Sequence, residues 1–117
     1  MITNLKAIVA AAALIVPLSA ADANTRWYDV DANTRDSFNL RLCSPVVDIE
    51  ADGDDSTDLD FWLYNPSGRL IHVDTDPTDL MMKTVRRNVE GCSNYTLIVR
   101  NLGDEYNRME LTVDDRA

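Results

Sequence analysis

Period-two alternation is the feature that most constrains this chain. In Leu59-Asp60-Phe61-Trp62-Leu63-Tyr64 the side chains of Leu59, Phe61 and Leu63 share one side, opposite Asp60, Trp62 and Tyr64. Successive strand residues point to opposite faces, so the run encodes a strand with one face in a core. Asn65-Pro66-Ser67-Gly68 follows. Proline presets φ at the first central position of a turn and glycine tolerates positive φ, so the chain reverses here. Leu70-Ile71-His72-Val73 then returns as the second strand of a hairpin.

The same signature recurs in Arg26 to Val30, Phe38 to Leu42, Val46 to Glu50, Tyr95 to Arg100 and Met109 to Val113. Asn101-Leu102-Gly103-Asp104 is a further turn. Met81 to Val89 is compatible with a strand or a short helical turn, and its Met-Met and Arg-Arg pairs do not decide between them. Seven or eight short strands at regular spacing, without an amphipathic helix, predict an all-β domain: an antiparallel β-sandwich or barrel.

The N-terminus follows another logic. Lys6 ends a short basic region, and Ala7 to Leu18 is an apolar run followed by Ser19-Ala20-Ala21-Asp22-Ala23. That layout predicts a secretory signal peptide over residues 1–23, cleaved after Ala23 or after Ala21. The run is shorter than the roughly 20 apolar residues that span a bilayer, so no membrane insertion is expected after cleavage. Residues 24–117 then form the single sandwich domain, in the periplasm or outside the cell.

Export meets an oxidising compartment, which makes a structural disulfide the expected state of Cys43 and Cys92. A metal or catalytic thiol has less support, since no C-x-x-C and no neighbouring histidine accompany either cysteine. Charge excludes other classes. With 20 acidic against 11 basic residues the chain carries −9, and Lys83 with Arg86-Arg87 is its one basic cluster. Nucleic acid and anionic membranes demand clustered Lys and Arg, so neither is an expected partner.

Four segments occur in a recognisable order: Thr25 to Ala32 (TRWYDVDA), Leu59 to Ile71 (LDFWLYNPSGRLI), Cys92 to Val99 (CSNYTLIV) and Met109 to Val113 (MELTV). Together they resemble the bacterial pre-peptidase C-terminal domain, a small jelly-roll-like sandwich often appended to secreted proteases and collagenases. The hairpin is the most specific part of the match. The resemblance implies a jelly-roll winding and a non-enzymatic accessory role, and in some relatives calcium held by carboxylates.

The residues themselves raise three candidate chemistries. Asp52, Asp54, Asp55, Asp58 and Asp60 lie within nine positions, and such hard oxygen donors suit Ca²⁺. The EF-hand pattern fails, because Thr57 stands where glycine is required and Leu63 where the bidentate glutamate belongs. A solvated acidic loop is the competing reading. Trp62 and Tyr64, on the side of Asp58 and Asp60, form a candidate binding face for sugar or peptide. Packing of Trp62 against a neighbouring sheet or loop is the alternative that a two-sided sandwich favours. Hydrolysis has the least support: His72 is the sole histidine, Ser67 is a turn residue, and no nucleophile elbow or His-Glu-x-x-His occurs. The functional expectation is therefore a module that binds or stabilises a protein or polysaccharide, with calcium as a candidate assistant. The rivals are a periplasmic inhibitor or chaperone-like partner of an envelope enzyme, using Arg86, Arg87 or the acidic loop, and a small hydrolase.

Overall fold

In the computed structural model, residues 24–116 are described, and the expected signal segment at 1–23 lies outside the described residues. Every alternating segment forms a strand: β1 (Asn24–Val30), β2 (Arg35–Leu42), β3 (Val46–Asp52), β4 (Leu59–Tyr64), β5 (Leu70–Asp74), β6 (Leu80–Arg86), β7 (Ser93–Asn101) and β8 (Asn107–Arg116). All pairings are antiparallel. The undecided segment from Met81 is a strand as far as Arg86. Its inward positions are Met81, Lys83 and Val85, and the lysine is what spoils the apolar rhythm. β6 is an edge strand, where a charge at an inward position still reaches water.

The strands form two four-stranded sheets, ordered β1-β8-β3-β6 and β2-β7-β4-β5. Consecutive strands swap sheets except at the β4–β5 hairpin, which is the double-sheet winding of a jelly roll. The core lies between the sheets. Val47, Ile49, Met81 and Met109 from one sheet meet Leu42, Leu59, Phe61, Leu63, Leu97 and Val99 from the other, each at most 1% exposed. Burying a side chain of this size contributes roughly 1.5–3 kcal/mol. Tyr28 and Phe38 extend the core toward the β1–β2 side, with ring centroids 4.6 Å apart.

The hairpin turn forms as its sequence requires. Gly68 has φ of 83°, and its N–H donates to Asn65 O at 2.9 Å. The Asn65 side-chain oxygen accepts from the N–H groups of Ser67 and Arg69, which closes the turn from inside.

The two ends of the sandwich are wired differently. At one end Cys43 and Cys92 are bonded, one step beyond the Leu42–Ser93 pair, so the disulfide prolongs the β2–β7 ladder. Such a bond belongs to an oxidising environment rather than a reducing cytoplasm. The Asp115 carboxylate accepts from the N–H groups of Cys43 and Ser44 at 2.9 and 2.8 Å. Arg87, 6% exposed, donates to Ser44 O, Gly91 O and Ser93 Oγ. Its charge is spent on holding two loops together, so it offers no contact surface, contrary to the expectation from the basic cluster. Among the described residues no helix is long and apolar enough to cross a membrane.

Candidate functional site

Two regions of the sandwich carry the residues singled out in the sequence. The first is the outer face of the β2-β7-β4-β5 sheet. Because β4 buries Leu59, Phe61 and Leu63 completely, its alternation turns Asp60, Trp62 and Tyr64 outward. Trp62 is half-buried there and stands outside the core, on a face that the other sheet does not reach. Register sets its neighbours: Trp62 lies beside Ile98 on β7 and Val73 on β5, and Tyr64 beside Thr96 and Leu70. Leu70 and Val73 are each 43% exposed. The Arg35 guanidinium from β2 sits over the Trp62 ring, 5.9 Å from its centroid, within cation–π reach. Arg35 opposes Arg100, and Arg100 opposes Asp60, so a charged row borders the aromatic strip.

The second region is the acidic corner made by the loop from Asp52 to Asp58 and the loop from Asp74 to Asp79. Two buried polar side chains build it, Asp79 and Asn107. Asp79 Oδ2 accepts from the Asp55 N–H at 2.8 Å and from the Asn107 amide at 3.0 Å. The same amide donates to Thr57 O, and its oxygen accepts from the Asp54 N–H at 3.0 Å. Gly53 packs so closely that a Cβ there would collide with the Asp79 carboxylate. Nothing near Asp79 or Asn107 in sequence marks these roles. Their partners lie 24 to 53 residues away, and position at the start of a strand is the only local hint.

The five expected metal-site aspartates divide in this setting. Asp54 is committed to the loop, accepting from Ser56 and from the Arg108 N–H, and these hydrogen bonds hold its carboxyl below the usual range. Asp52 is pushed up by burial, then by Asp79 and Asp55. Asp58 is pushed up by burial, then by Asp76, Asp79 and Asp74. Asp60 is pushed up by burial and by Asp58, against an opposing pull from Arg100. Asp58 and Asp60 therefore keep company with Asp74 and Asp76 from the far side of the hairpin, which sequence reading did not include. Among the described residues no three acid, histidine or cysteine side chains gather closely enough to hold a metal ion.

The remaining candidates are placed apart from both regions. Ser67 Oγ donates to Asn65 Oδ1 at 2.9 Å within the turn, and His72 sits half-buried on β5 opposite Leu63. Fold and site together define an eight-stranded jelly-roll sandwich with an aromatic outer face and an acidic corner. No family model matches the chain, and no curated protein matches it significantly.

Proposed function

We propose that this protein is a non-enzymatic sandwich module, exported to the periplasm or beyond, that holds a protein or polysaccharide on the outer face of its β2-β7-β4-β5 sheet. The observation that carries this reading is the placement of Trp62, a large aromatic outside the core with Tyr64 beside it and Arg35 over its ring. Aromatic rings stack on the apolar faces of sugars and side chains, and flanking Arg35, Arg100 and Asp60 supply directional polar contacts. The Cys43–Cys92 bond supports export. The jelly-roll winding agrees with the resemblance to the pre-peptidase C-terminal domain, whose accessory role is of this kind. Calcium has a place in the same reading. Binding would have to draw Asp58, Asp60, Asp74 and Asp76 together, since among the described residues no three acids already gather closely enough to hold an ion.

The test uses fluorescence. With Trp27→Phe, Trp62 is the only tryptophan left. Titration with soluble polysaccharides and with fractionated envelope proteins should shift its emission to the blue as a partner covers the ring. Binding that leaves the emission unchanged would place the recognition surface elsewhere.

A further inference from the structure

We propose that the occupant of the β2-β7-β4-β5 outer face is an anionic polysaccharide with carboxylates repeated along its chain, which rests on the sheet-face reading above and names the class of partner. Alternation and register assemble the charge. β2 buries Leu40 and Leu42, which turns Arg35 and Arg41 outward, and β7 buries Leu97 and Val99, which turns Arg100 outward. Register sets Arg35 directly opposite Arg100 and Arg41 opposite Asn94. All three arginines are exposed. Asp60 is the one acid at the outward positions of β2, β7 and β4. The other sheet shows the reverse, since β3 and β8 turn Asp48, Glu50, Asp52, Glu110 and Asp114 to its outer face.

Segregation of charge is the deciding observation. Acids outnumber bases 20 to 11 in the chain, yet this face carries three arginines against one acid. Among the described residues none of the three arginines is in an ion pair. Charges on an edge strand deter edge-to-edge pairing, which accounts for Arg35 and Arg41 on β2 but not for Arg100 on the inner strand β7. Like charges directly opposite one another destabilise a sheet, so the Arg35–Arg100 pair does nothing to hold the fold. An anion over the pair would offset the repulsion. Arg41 lies six positions beyond Arg35 on the same strand, roughly 20 Å away at about 3.3 Å per residue, so one small acid cannot reach both. The occupant is therefore extended. Three charges over that length are far sparser than the one per about 1.7 Å of duplex DNA, which disfavours a nucleic acid. Between the arginine rows stand Ser37 and Asn39 on β2, Thr96 on β7, and Trp62 and Tyr64 on β4, with Arg35 over the Trp62 ring. Hydroxyl and amide side chains suit sugar hydroxyls, aromatic rings suit the apolar faces of sugars, and guanidinium forks suit carboxylates. An acidic protein segment would use only the last of these.

Binding is measured by calorimetry and by Trp62 emission in the disulfide-bonded Trp27→Phe protein. The probes are polygalacturonate, its neutral methyl ester, dextran, poly-L-glutamate and single-stranded oligothymidylate. Polygalacturonate should bind, shift the emission to the blue, and lose affinity at least about fivefold between roughly 50 and 300 mM salt, because screening weakens exposed charge pairs. The other four should bind at least about tenfold more weakly. The variant Arg35→Gln/Arg41→Gln/Arg100→Gln, at three exposed positions, should keep its melting temperature within a few degrees and lose at least about tenfold in affinity for polygalacturonate, the effect of losing charge-assisted hydrogen bonds. The comparison with the methyl ester needs no variant. No binding of polygalacturonate, equal binding of the methyl ester or dextran, equal or tighter binding of poly-L-glutamate or the oligonucleotide, or unchanged affinity in the folded variant would overturn the proposal. A neutral polysaccharide or envelope protein that shifts Trp62 emission equally in parent and variant would overturn the anionic assignment and leave the sheet-face reading standing. Polygalacturonate binding that leaves the emission unchanged would overturn both.

Discussion

Removing the disulfide tests how this small domain is held together. Cys43 and Cys92 are 49 residues apart, and cross-linking them removes loop-closure entropy from the unfolded chain. A loop of that length corresponds to about 4 kcal/mol at 25 °C in the chain-entropy account. Total stabilities of small domains run to only about 5–15 kcal/mol, so the bond contributes a large share. Each kcal/mol moves the midpoint of a domain this size by roughly 4–8 °C, which predicts a fall of about 15–30 °C for Cys43→Ser/Cys92→Ser. The native contacts around the bond survive the change, because Asp115 still accepts from the backbone N–H groups of residues 43 and 44, and Arg87 still grips Ser44, Gly91 and Ser93. The loss therefore acts through the unfolded state. Circular dichroism melts of the oxidised protein, the reduced protein and the double variant give the comparison. The last two should melt together, well below the first, with the same spectrum at low temperature. A variant that melts within about 3 °C of the oxidised protein would refute the reasoning.

Further tests address the acidic corner. Gly53→Ala forces a Cβ into the Asp79 carboxylate and should cost about 1–3 kcal/mol, read as a lower urea midpoint; equal midpoints would mean that the two loops are not locked together. Asp58→Asn should raise the melting temperature at pH 7. The folded Asp58 holds its proton more tightly than the unfolded chain, whose value is 3.8, so its stabilising effect is complete below pH 3.8 and lost as pH rises through the elevated folded value. The gain of the variant should vanish in melts below that pH, and a variant less stable than the parent at pH 7 would contradict the cost assigned to ionising Asp58, which burial and then its acidic neighbours impose. Millimolar calcium should raise the parent melting temperature and EDTA should return it, by linkage of binding to folding. Identical melts with calcium and with EDTA would remove calcium from the account.

The fold was legible because alternation survives wherever a strand has one buried face. Leu59-Phe61-Leu63 and Tyr95-Leu97-Val99 point inward in the structure as their spacing predicts. Alternation fails at the edge strand β6, where Lys83 takes an inward position that an inner strand would give to an apolar residue. The candidate site was less legible, for the same physical reason throughout: its partners are distant in sequence. Asp79 and Asn107 organise the acidic loop from across the fold. Arg87 reads as half of a basic surface pair, yet tertiary hydrogen bonds bury it at the disulfide end. Trp62 reads as a packing residue because a two-sided sandwich offers a neighbouring sheet or loop to cover it. Only the arrangement of the two sheets decides that its face meets no second layer.

The most direct test of the central claim compares retention by the immobilised parent protein with retention by Trp62→Ala/Tyr64→Ala. Both residues lie outside the core, so the variant should keep the parent melting temperature within a few degrees. Exposed to the same soluble polysaccharides and envelope proteins, the parent should retain a defined partner, and the variant should lose at least about tenfold in affinity, as truncation of aromatic anchors does at other interfaces. Equal retention by a folded variant would contradict the account.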